Sequence, residues 1–171
     1  MNPGFPSGRA HILKIGRRLF PLFLTLAAAF LGGFGCRTTT PMPAINLSAA
    51  GWHVAQGQAV WKPPGNRPEL AGDLLVATND NGNCFIQFSK TPFEIATARV
   101  DDGRWQVRFG TDQYSWTGRG APSPRFVWFQ LPPALAGKLL IDGWKFERSS
   151  GNLWRLQNSR THEALSGEFF P

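Results

Sequence analysis

Apolar positions in this chain fall into three regimes. Leu19 to Leu31 is an apolar run broken by Pro21 and Thr25. From Trp52 onward, apolar and polar residues alternate in short stretches. Arg104–Phe109 is the clearest, with Trp105, Val107 and Phe109 on one side and Arg104, Gln106 and Arg108 on the other. A period of two marks a half-buried strand. The pattern predicts strands over 52–61, 70–78, 84–89, 93–100, 104–109 and 113–117. Between them lie turn clusters such as Lys62-Pro63-Pro64-Gly65-Asn66, Asn79–Asn83 and Asp101-Asp102-Gly103. A series of hairpin signals of this kind predicts an antiparallel meander. Gly57, in the middle of the first strand, predicts a bulge or bend.

The alternation breaks at Gly118. Gly118-Arg119-Gly120 reads as a flexible joint, and the chain then enters the aromatic stretch Arg125–Leu131. Ser123 followed by Pro124 predicts an N-cap with proline in the first helical position. Pro132 and Pro133 are expected to stop this short helix or to restart a turn through Ala134–Ala136. A strand is the alternative, because the segment is rich in aromatics. Gly143–Arg148 and Leu153–Asn158 then form a hairpin, and Ala164–Phe170 a last strand. The expected class is mainly β, with one short helix near 124–136.

The first apolar regime has another meaning. Arg9, Lys14, Arg17 and Arg18 precede it and no acidic residue does. A basic n-region, an apolar core of about 13 residues and small residues after it make a secretory signal peptide. The core is short for a membrane span, which needs ~20 residues. An uncleaved signal anchor is the alternative. The segment Gly33-Phe34-Gly35-Cys36 resembles a bacterial lipobox, with Gly35 before the cysteine. This makes Cys36 the expected acylated first residue of the mature chain, since two or more acyl chains anchor stably where one is marginal. Arg37 after it, in place of an aspartate, favours the outer membrane. The expected organisation is a lipoprotein signal peptide over 1–35, a tether over 36–48 with Pro41 and Pro43, and a β-rich domain over 49–171.

Export changes how the charge is read. The whole chain has a formal net charge of +7. Residues 36–171 hold fourteen basic and all eleven acidic residues, so much of the excess is an export feature. The basic residues are scattered, with no run of three, and nucleic acid is not an expected partner. Cys84 is the only other cysteine. With Cys36 acylated it has no partner, and it reads as a buried thiol. Seven Trp and fourteen Phe stand against one Tyr. These rings can fill a core or line an apolar cavity, and both readings stand at this point.

The residues nominate no chemistry. His53 and His162 have no spacing to each other or to Cys84 that suggests a metal. Asp101 and Asp102 precede a glycine, as hairpin turns prefer. Glu163 and Glu168 lack an evident partner. There is no phosphate loop and no nucleophile elbow. The chain is expected to be non-enzymatic, with no catalytic residue, metal or cofactor.

The order of elements resembles the outer-membrane lipoprotein receptors of the Lol pathway (LolB-like). Gly51–Val60 looks like that family's opening strand. Phe85–Phe93 looks like its third strand running into an Asn-Pro-Leu-Gly turn, with Thr91-Pro92 matching in character, Phe93 in the Leu position and Glu94 in the Gly position. Pro124–Gly137 resembles the helix that caps the family's open barrel. The resemblance implies a curved antiparallel sheet, or open half-barrel, with a short helix across its mouth, holding acyl chains. It also implies that Phe93 contacts the membrane or an acylated partner. The alternative is that Phe93 is the first buried residue of the next strand.

Two functions follow as expectations. In the first, a lipid-anchored protein of the outer membrane, facing the periplasm, has a hydrophobic cup for acyl chains or acylated lipoproteins. Trp105, Val107, Phe109, Trp128 and Trp144 are its candidate lining. In the second, a structural or envelope-associated lipoprotein has a packed β core and docks a protein partner.

Overall fold

The structure is a computed structural model and describes residues 42–110, 114–149 and 152–171. The signal segment 1–35 and Cys36 lie outside the described residues. Nine strands are described: β1 Trp52–Lys62, β2 Leu70–Asn79, β3 Cys84–Lys90, β4 Phe93–Asp101, β5 Arg104–Phe109, β6 Tyr114–Arg119, β7 Trp144–Arg148, β8 Leu153–Asn158 and β9 Ala164–Phe169. The helix α1, Val127–Leu135, separates β6 from β7. All strand pairings are antiparallel, in the order β6-β5-β4-β3-β2-β1-β9-β8-β7. The sheet is open, with β6 and β7 as its edges. The meander β1–β6 arises because each strand is joined to the next by a short turn. Asp102 and Gly103, both at positive φ, make the two-residue turn between β4 and β5, as the Asp-Gly pair predicts.

One face of the sheet carries most of the core, from Trp61, Leu74, Val76, Ile86 and Phe88 to Val107, Leu156 and Leu165. Trp61 on β1 stacks on Phe109 of β5, with ring centroids 5.6 Å apart, although β2, β3 and β4 lie between their strands. In a flat sheet, strands four places apart stand ~19 Å apart. The contact therefore requires this face to be concave. α1 lies in the concavity. Its residues Val127 to Leu131 are buried consecutively, so it meets apolar surface all round.

Three local expectations are corrected. β1 runs through Gly57 in unbroken register with β2, so there is no bulge there. Glycine is needed because a Cβ at this position would overlap the carbonyl oxygen of Glu168 on β9. Gly118 is part of β6 and not a joint: the Trp105 indole lies over it, 2.5 Å from where a Cβ would sit. The helix starts at Val127 with Phe126 as its N-cap residue and no side-chain cap, and Pro132 and Pro133 lie inside it. Ring packing, not Ser123 capping, sets this start. Phe126 sits among Trp105, Phe109, Trp116 and Phe129. The two prolines each remove a helical donor, and burial of the preceding turn offsets that loss.

Candidate functional site

The aromatic residues expected to line a cup come together. Trp105, Val107 and Phe109 project from β5 onto the concave face, and Trp128 descends from α1. Trp128 lies 5.2 Å from the Trp61 ring and 5.4 Å from the Phe88 ring. Trp105 meets Phe126 and Phe129 of the α1 entry. Val107 and Trp128 are fully enclosed, while Trp105 and Phe109 pack against the core from its margin. The fifth candidate, Trp144, opens β7. Its Nε1 donates to the Pro124 carbonyl at 2.8 Å, tying the helix entry to the sheet. The inner face is thus filled by its own side chains. The principal grooves of the surface have other linings, apart from one of about 610 Å³ beside β7 that Trp144 shares with Leu139 and Leu140. A larger groove, about 640 Å³, is bordered by Gln58, Val60, Asp73, Lys90, Leu153 and Glu168.

Several buried polar groups interrupt this apolar interior, the unpaired indole N–H of Trp154 among them. The indole N–H of Trp128 is buried and has no acceptor. An unpaired buried donor costs about 1–3 kcal/mol. At the margin, Trp61 Nε1 donates to Glu163 Oε1 at 3.0 Å. Burial pushes the Glu163 carboxyl up to about 7, with the indole bond acting against it. Its only sequence signal was a glutamate just before an apolar strand. The partner is 102 residues away, so spacing could not reveal it.

Phe93 is 67% exposed, at the first position of β4. Simple alternation would place it on the same face as Ile95. The ladder slips here: Phe88 pairs with Ala96 and Ser89 with Glu94, which leaves Ile95 as an extra residue. A bulge of this kind re-aims neighbouring side chains. Ile95 packs on the core while Phe93 stands out at the hairpin tip. Glu94 beside it is engaged by Arg108 at 3.4 Å.

The last residues of the expected tether are not free of the domain. Met42, Pro43, Ile45 and Leu47 line a groove with Thr97, Arg99 and Gln106 on the outer face of the sheet. Arg99 donates through Nη1 to the Pro43 carbonyl and through Nη2 to Asp101 at 2.7 Å. Asp101 is therefore an ion-pair partner, and Cys84 is a buried thiol pushed up to about 11 by desolvation. Among the described residues, no cluster of His, Cys, Asp and Glu is placed to hold a metal. No described helix is long and apolar enough to cross a membrane. The chain matches no protein-family model, no curated protein and no solved structure.

Proposed function

We propose that this is a lipid-anchored, non-enzymatic protein of the bacterial cell envelope, held through acylated Cys36 at the outer membrane and facing the periplasm. In this reading it engages acyl chains or acylated lipoproteins, as the Lol-pathway receptors do. The observation that carries the reading is the exposed Phe93 at a hairpin tip of a sheet whose concave face is aromatic and covered by one short helix. The unpaired Trp128 donor adds support, because an acyl ester or carboxyl oxygen is the kind of acceptor it lacks. Apolar ligand sites are concave, with few polar groups that fix orientation. Entry of a chain requires α1 to shift, since Trp128 now occupies the centre.

Two experiments test this. Cys36→Ser should release the protein from the membrane fraction and abolish fatty-acid labelling. Full retention on the membrane would instead assign Leu19–Leu31 as a signal anchor. Phe93→Ala should change urea-unfolding stability by no more than about 0.5 kcal/mol, as for other exposed positions, while weakening binding to an acylated peptide. Unaltered binding would remove Phe93 from the site.

The close ring contacts around Trp128 favour a second reading, a packed envelope lipoprotein that docks a protein partner. Mass spectrometry of the detergent-extracted protein separates the two. Co-purified lipid supports the acyl-binding reading. An apolar dye excluded from lipid-free protein supports the packed one.

A further inference from the structure

The four most exposed large apolar side chains among the described residues are Leu139 at 94%, Phe93 at 67%, Tyr114 at 63% and Ile141 at 58%. They come from three separate loops, and the strand order relates those loops. β1 ends where β2 begins, Trp61 pairing with Leu70. Following the antiparallel ladders across, this same end of the sheet carries the start of β4, the start of β6 and the start of β7. Phe93 and Tyr114 are the first residues of β4 and β6. Ile141 lies in the turn entering β7, where the Trp144 amide donates to its carbonyl. Leu139 lies two residues earlier on the same loop.

Charge divides between the two ends in the same sense. At this end Lys62, Arg67, Lys90, Lys138 and Arg160 are exposed, against Glu69 and Asp142. At the opposite end, Arg104, Arg119, Arg148 and Arg155 are matched by Asp80, Asp102, Glu147 and Glu168. The apolar tips therefore share an end with the basic excess. Apolar side chains that enter the headgroup boundary, flanked by Lys and Arg, are what an anionic bilayer surface binds.

We infer that this end of the sheet, with Phe93, Tyr114, Leu139 and Ile141 at its tips, docks on a lipid surface bearing anionic headgroups. The inference rests on the lipid-anchored reading above and gives the anchored domain a fixed orientation. The strap of residues 42–47 limits distance and not orientation: it is pinned at Arg99, toward the far end of β4, and leaves six residues between Cys36 and Pro43. An extended chain of that length reaches at most about 25 Å, so the domain stays close to the bilayer that holds its acyl chains.

The test uses the full-length, lipidated protein in vesicles of phosphatidylethanolamine and phosphatidylglycerol. A cysteine replaces Ile141, Phe93 or, at the opposite end, Val54, and each carries an environment-sensitive fluorophore. Cys84 is buried with its thiol held protonated, so it does not compete for label. Spin-labelled lipid should quench the probe at positions 141 and 93 at least twofold more than at 54. The difference should shrink at least twofold when phosphatidylcholine replaces phosphatidylglycerol, or in the Lys90→Glu, Lys138→Glu variant. Equal quenching at both ends, or none at 141 and 93 in these protein-free vesicles, overturns the inference and leaves the tips to a protein partner. Loss of the anchor itself would show separately, as release of the unsubstituted protein from the vesicles.

Discussion

Replacing Trp128 with alanine is expected to destabilise the domain by about 3–5 kcal/mol, the usual cost of removing a large buried ring. Trp128 is 1% exposed and wedged between Trp61 and Phe88. The sheet is bent around it, so the space cannot close unless the sheet curls further. Trp128→Phe should cost markedly less. It keeps most of the packing and removes an indole N–H that has no acceptor, whose burial is itself unfavourable by about 1–3 kcal/mol. Urea unfolding of the two variants beside the unsubstituted protein measures this directly. The alanine variant should also take up an apolar dye that the parent excludes. A loss below about 1 kcal/mol for Trp128→Ala would show that the inner face is not held by this ring, and would favour an interior already open to acyl chains.

The second large effect is a dependence of stability on pH centred on Glu163. Its folded-state pKa, about 7, lies above the value of 4.5 for a free glutamate, with burial as the main cause. A raised carboxylate pKa means that the fold prefers the protonated side chain. The contribution is fully present below about 4.5 and is lost as pH rises through about 7. Each pH unit between the two values is worth about 1.4 kcal/mol, so the loss by pH 9 is roughly 3 kcal/mol. Glu163→Gln should keep the acceptor for Trp61 Nε1 and abolish this loss. The parent and variant should therefore diverge between about pH 5 and pH 9, with the variant more stable at the alkaline end. Parallel curves for the two proteins would mean that Glu163 ionises without penalty and that its side chain leaves the Trp61 contact.

Much of the architecture was legible along the chain. The Arg104–Phe109 alternation, the Asp102-Gly103 turn and the runs at 70–78 and 153–158 each form strand or turn within a residue or two of the expected place. This works because turn chemistry and period-two polarity are local. Strand order across the sheet is not local. Nothing in the composition says that β9 inserts beside β1, or that Gly57 is glycine because the Glu168 carbonyl comes so close. The helix start was displaced for the same reason. Ser123 and Pro124 offer a local cap, but the ring of Phe126 gains more by packing among four other aromatics.

The candidate site divides along the same line. Sequence by itself nominates the export signal and Cys36, and it determined the mainly β class and the shared face of Trp105, Val107 and Phe109, because each follows from neighbouring residues; it does not single out Trp61, Phe88, Phe126 and Trp154 on the inner face. Only the tertiary structure decided that those rings fill the concavity around Trp128. It alone joined Glu163 to Trp61 and left Phe93 exposed at the tip of the β3–β4 hairpin. It also gathered Phe93, Tyr114 and Ile141 at one end of the sheet. These outcomes depend on which distant strands pair and in what register, and one residue of register moves a side chain from one face to the other.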